Sequence, residues 1–180
     1  MWMRAEMVQT VVEPRVLRSV LGRFATGVAV VTAQTMQGDP LGMTVNSFSS
    51  VSLEPPLVLF CVNRDSRLYP AFTNTAAFAV NILTEAQQAL SRRFARPGLD
   101  RFGTLPHATG HSGVPVLPDS LAVVECATDS VAAAGDHAIV VGRVVAVSAE
   151  EERTVQPLVF FDGAYCRLDA AHANWWTAFS

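Results

Sequence analysis

Lysine is absent from this chain: all thirteen basic residues are arginine. That excludes lysine Schiff-base chemistry and the lysine of a phosphate-binding P-loop. Charge is scarce, at 16% of residues, and the net charge of −3 gives no footing for general nucleic-acid binding. The three cysteines, Cys61, Cys126 and Cys166, lie far apart and form no Cys-x-x-Cys pair. They make neither a disulfide framework nor a structural zinc site. Long apolar runs are also missing. No stretch approaches the ~18 residues of a membrane span, and Arg4, Glu6 and Glu13 interrupt the start of the chain where a secretory signal would be apolar. The expectation is a cytoplasmic protein with no membrane and no nucleic-acid partner.

Several chemical motifs are missing as well. No Gly-x-Gly-x-x-Gly follows a strand, which argues against a dinucleotide fold of the Rossmann type. Gly22 to Gly27 has P-loop glycine spacing, but Val28 stands where lysine is required. His107 and His111 are four apart, yet Pro106 and Gly110 break the helix that would align them on a metal. No Gly-x-Ser-x-Gly elbow presents a nucleophile.

Apolar residues dominate what remains. They make up 50% of the 180 residues, and mean hydropathy is +0.28. Such a chain has a large core or buries apolar surface against another subunit. Leu17, Val20, Leu21 and Phe24 follow helical spacing, which predicts a helix over residues 14–25 with Pro14 in its first turn and Gly27 as its stop. Strands are predicted over residues 28–33, 41–47, 57–62, 77–83, 121–127, 137–148 and 157–168, the last interrupted at Asp162-Gly163. Residues 131–134 fit a hairpin partner. A second helix is predicted over 85–95 with Thr84 as its cap, and a long loop over 97–118. Trp175, Trp176 and Phe179 crowd the tail. The reading is one domain over residues 14–170, with an extension at 1–13 and a tail at 171–180. Six or seven strands with few helices predict a mainly β, antiparallel barrel.

One stretch stands out. Residues 41–56 hold Thr44, Asn46, Ser47, Ser49, Ser50 and Ser52, followed by an apolar run over 57–62 and then Ser66 and Arg67. Short hydroxyls and amides beside a core strand suit a flat polar ligand and its phosphate; they equally suit a turn ladder at a barrel rim. Arg67 fits either a bidentate phosphate contact or a surface ion pair. His137 fits either a ligand contact or an ordinary hydrogen-bonded histidine.

Four further segments accompany that stretch: Phe24-Ala-Thr-Gly-Val28, Ser66-Arg67, Asp100-Arg-Phe102 and Gly135-Asp-His-Ala-Ile139 with Gly142. In this order and spacing they resemble the flavin reductase-like family, which has the FMN-binding split-barrel fold. The resemblance covers about residues 16–168 and is closest to the short NAD(P)H:flavin oxidoreductases. It implies a homodimer with FMN or FAD at its site and NADH or NADPH as co-substrate. It also implies a partner monooxygenase fed by reduced flavin. Met43, Thr44, Val45, Asn46 and Ser47 would lie along the flavin, with Ser49 and Ser50 in the same turn. Cys61, Val62, Ser66 and Arg67 would approach the ribityl chain and phosphate, with Arg101, Phe102 and Thr26 close by. His137 would touch or orient the nicotinamide, and Tyr165 would be a stacking residue. Two positions depart from the family pattern: Leu68, where many relatives have a hydroxyl, and Gly163-Ala-Tyr165, where many have Gly-Arg-Tyr. Two rivals are an enzyme of this fold that keeps its FMN for another substrate, and a flavin-binding barrel without turnover.

Overall fold

The computed structural model describes residues 12–96, 98, 101–150 and 154–168. Trp175, Trp176, Phe179 and Asp100 lie outside that set. The chain begins with α1 (Pro14–Leu21), then β1 (Thr26–Gly27), β2 (Ala29–Gln34), β3 (Pro40–Val45), β4 (Ser49–Leu53) and β5 (Pro56–Asn63). A short α2 (Tyr69–Asn74) leads to β6 (Ala77–Ile82). One 3-10 turn (Glu85–Gln87) opens α3 (Gln88–Ala95). The hairpin β7 (Ala108–Thr109) and β8 (Pro115–Val116) follows, then the long β9 (Ala122–Ala134) and β10 (His137–Ala149), and last β11 (Val159–Phe161) and β12 (Ala164–Cys166).

Seven strands form one antiparallel sheet in the order β3-β2-β6-β9-β10-β5-β4. Its two edges, β3 and β4, are consecutive in the chain and joined only by Asn46, Ser47 and Phe48. So short a link forces the sheet to curl until its edges meet at this corner, yet β3 and β4 do not pair. The barrel is therefore split along the serine-rich stretch. A second sheet, β1-β11-β12, is antiparallel and sits beside the split.

Alternation fills the barrel. On β5, Val58, Phe60 and Val62 are buried, while Leu57, Leu59, Cys61 and Asn63 face the other way. Phe60 meets Phe72 of α2 and Phe78 of β6 edge-on at 5.5 and 5.0 Å. Burial of each such ring contributes about 1.5–3 kcal/mol. β2 is buried on both faces: Val31 and Ala33 join the barrel core, and Val30 joins a second cluster with Leu83, Phe94, Phe102 and Leu117 beneath α3. Gly142 sits where any side chain would collide with Phe78.

Most predicted elements are present, with changes of boundary. α1 stops at Leu21, four residues before the predicted end, because Gly22 caps it and β1 must start at Thr26 to pair with Phe160. Thr84 does open the second helix. Its N–H donates to Gln87 Oε1 (3.0 Å) in a capping box, but the first turn is 3-10. Ser49 and Ser50 are not in a turn with Ser47; they begin β4, where β5 supplies the hydrogen bonds that their side chains do not need to provide. Residues 131–134 do pair in a hairpin, with residues 137–140 of β10, as the end of β9 beyond a bulge. α2 was not predicted, since Pro70 and its short length hide it. Asp162 and Gly163 turn the final hairpin with φ of 49° and 81°.

Candidate functional site

The corner at the split is built by one hydroxyl. Ser47 Oγ accepts from the Cys61 N–H at 3.0 Å, which ties the corner to β5 and leaves Asn46 exposed at the rim. Behind it, Thr44 Oγ1 donates to the carbonyl of Ser91 in α3 at 2.6 Å. Gly42 lies against Phe94, whose ring carbons stand 2.8 and 3.0 Å from the place a Cβ would occupy. Only a hydrogen lets β3 press this closely on α3.

Three adjoining cavities run along the split. The middle one, about 330 Å³, is bordered by Met43, Thr44, Val45, Asn46 and Ser47 from the corner. Cys61, Asn63, Ser66, Leu68, Phe94, Ala95, Arg101 and His137 complete it. At one end it shares Ser66, Leu68, Ala95 and Arg101 with a cavity of about 530 Å³ that adds Arg67, Asp65, Gly42 and Phe102. At the other end it shares Asn46, Ser47 and His137 with a wide cavity of about 1140 Å³ that adds Thr26, Ser49, Phe160 and residues of α1. The result is one trench: arginines at one end, short polar groups with apolar neighbours in the middle, and a histidine leading to the wide end.

The two arginines differ. Arg67 is exposed and makes no hydrogen bond or ion pair with the described residues. Arg101 is half-buried and spends three donors on carbonyls: Nε and Nη2 on Arg96 (3.1 and 3.0 Å) and Nη1 on Gly42 (2.8 Å). Burial pulls its pKa down, and its hydrogen bonds tie Arg96 and Gly42 of β3 together.

At the wide end, His137 Nδ1–H donates to Asp136 Oδ1 at 2.7 Å. A carboxylate only accepts, so Nδ1 carries the proton and Nε2 is left for whatever enters the cavity. The hydrogen bond, and then the charge of His137, hold the Asp136 carboxyl below its usual range. Thr26 borders this cavity, and its Oγ1 is buried with no partner among the described residues.

Most expected site residues border the trench, Phe102 among them, but three do not. Val62 points into the barrel core at 1% exposure; alternation that brings Cys61 to the cleft must send its neighbour inward. Ser50 lies on β4 opposite Val58 and borders no part of the trench. Phe102 edges the arginine cavity, yet it is 4% exposed and packs edge-on against Phe94 (5.2 Å) and His107 (5.0 Å). Tyr165 is outside the trench: its ring meets Phe160 and its hydroxyl is 2.8 Å from Ser91 Oγ. Sequence reasoning missed Asn63, Leu68, Ala95, Phe160 and the α1 arginines. Asn63 was readable, two residues beyond Cys61 on the same strand face; Phe160 carried no signal.

His107 and His111 are apart in role. The ring of His107 is 3.1 Å from the Leu105 carbonyl, while the backbone N–H of His111 donates to Glu125. Burial, then the Glu125 charge, pushes the Cys126 thiol up to about 12, so it is an inert core group.

A split barrel with a trench of this composition defines a flavin-handling class of β proteins. The chain belongs to the family described as the flavin reductase like domain, whose model matches residues 21–169. It is 47% identical over 140 residues to a probable flavin reductase of Rhizobium meliloti, a match covering 78% of this chain and 45% of that protein. It is 40% identical over 158 residues to HsaB of Rhodococcus jostii, the reductase subunit of a flavin-dependent monooxygenase, covering 88% and 80%. Among solved structures, an NADH:FAD oxidoreductase of Streptomyces globisporus in complex with NAD and FAD fragments superposes with a TM-score of 0.82 at 36% identity, covering 91% and 99%. The chain thus spans less than half the length of the Rhizobium relative.

Proposed function

We propose that this chain is an NAD(P)H:flavin oxidoreductase that reduces FMN or FAD and passes the reduced flavin to a partner monooxygenase. One observation carries the reading: the trench orders a free guanidinium, a row of short polar groups and a histidine along one line. A flavin phosphate suits Arg67, whose fork matches it bidentately. The flat ring system suits the corner over residues 43–47, where backbone groups and Asn46 and Ser47 meet its polar edge. A flavin, when bound, supplies the hydride-accepting chemistry itself. The protein need only hold the nicotinamide against the ring, exclude water and orient the pair, so no acid–base pair is required. His137, fixed by Asp136, positions the nicotinamide end, and Thr26 offers a further hydroxyl there. The relatives' monooxygenase and NADH:FAD assignments support the same reading.

The test is steady-state NADH and NADPH oxidation with FMN, FAD and riboflavin each varied. Saturation by added flavin, with no oxidation in its absence, is the expected result. No oxidation with any pair overturns the proposal. Flavin retained through exhaustive dialysis would instead mark an enzyme that keeps its cofactor for another substrate.

A further inference from the structure

α1 turns two unlike sides outward. Arg15, Arg18, Ser19 and Gly22, spaced i, i+3, i+4 and i+7, border the wide cavity. Val16, Leu17 and Val20 lie on the opposite side and are exposed. An amphipathic helix ordinarily buries its apolar side. Here the cavity takes the cationic side, with Leu21 and Phe24 also at its wall.

The charges there are unbalanced. Neither the Arg15 nor the Arg18 side chain makes a hydrogen bond or ion pair with the described residues. The one carboxylate among the cavity's lining residues, Asp162, already faces Arg23 at 3.8 Å. Two free guanidiniums one turn apart therefore face the same cavity whose inner end is His137. Cations at this spacing match two linked phosphates, and arginine is the better residue for them. The cavity, about 1140 Å³, has His137 among its lining residues as well as the two arginines, which suits a ligand with a flat ring at one end and paired anions further out.

We propose that Arg15 and Arg18 receive the diphosphate bridge of the nicotinamide dinucleotide, with Ser19 as a neutral donor beside them. This rests on the reductase reading above and extends it to the outer half of the co-substrate. Arg67 serves the flavin at the far end of the trench; the α1 pair serves the hydride donor. The bridge is common to NADH and NADPH, so both dinucleotides use it.

The experiment compares wild type with an R15Q/R18Q double variant on three probes. The KM for NADH should rise by about tenfold or more, as expected for two lost charge-assisted contacts, with kcat near wild type. Turnover of 1-benzyl-1,4-dihydronicotinamide, a hydride donor with no phosphate, should stay within about twofold. Calorimetric binding of ADP-ribose, which carries the bridge without the nicotinamide, should weaken by about tenfold. That binding arm needs no turnover, so it decides the inference even if the reductase activity is absent. An unchanged KM for NADH, or equal losses with the phosphate-free donor, overturns the proposal. ADP-ribose binding that ignores the double variant also overturns it, as does an effect confined to NADPH, which would move the arginines to its 2′-phosphate.

Discussion

Arg67 shows what a single side chain can be asked. Among the described residues its side chain has no hydrogen-bond or ion-pair partner, and it borders the arginine end of the trench. Arg67→Ala should weaken FMN by about tenfold while leaving riboflavin, which lacks the phosphate, almost unchanged. Fluorescence titration of both flavins checks this, and equal losses would remove the phosphate role. Gly42 makes a different demand. A methyl group there meets Phe94 and the Val31 carbonyl. Gly42→Ala should cost about 1–3 kcal/mol of stability, measured by urea denaturation. Neither result could be set by residue type alone. Cys61 and Val62 are neighbours in one apolar run, yet the first borders the cleft and the second fills the core. The pairing of β5 with β10 and β4 fixes which is which, and a register one residue over would exchange them.

At the scale of elements, α3 is the tie between two sheets. Thr44 of β3 bonds its Ser91 carbonyl, and Tyr165 of β12 meets the Ser91 hydroxyl. Ser91 is fully buried. Tyr165→Phe leaves that hydroxyl without its partner and should cost about 1 kcal/mol, seen as a lower thermal midpoint. The ring contact with Phe160, at 5.5 Å, is kept in this variant. Glu125 plays a matching role for the loop between β7 and β8. It accepts from the Ser112 hydroxyl (2.6 Å) and from the backbone N–H groups of Ser112 (2.7 Å) and His111 (3.1 Å). Burial alone would raise its pKa; these hydrogen bonds and the His111 charge outweigh it, and the carboxyl sits below its ordinary value. A depressed carboxylate contributes stability above its unfolded value, near 4.3, and loses it as pH falls through the folded value. Denaturant midpoints at pH 7 and pH 3.5 should therefore fall further for wild type than for Glu125→Gln, although the variant is the weaker at pH 7. Equal acid sensitivity would remove Glu125 as a contributor.

For the whole molecule, the exposed face of α1 is the feature that a single chain does not explain. Val16, Leu17 and Val20 are 57%, 46% and 63% exposed. With half of the residues apolar, this surface suits the proposed second copy of the chain. Leu17→Glu with Val20→Glu places charge in the middle of that face. For the homodimer that the family resemblance implies, sedimentation should show a shift to monomer in this variant, and an unaltered species distribution would move the interface elsewhere. The outer position of these side chains leaves the cavity-facing side of α1 intact.

The sequence alone determined the class of the fold and the neighbourhood of the site. Six or seven β-branched apolar runs with few helices predict an antiparallel barrel, and the polar stretch over 41–56 located the site only together with the segments that resemble the family. Tertiary structure decided the rest. The link over residues 46–48 becomes a cleft only because the curled sheet brings its two unpaired edges together there. Tyr165 became a tie rather than a stacking surface because β12 pairs with β11 and carries its hydroxyl to α3. Which side of α1 faces the trench was also decided late: helical spacing sorts the residues into two faces, but only packing chooses between them.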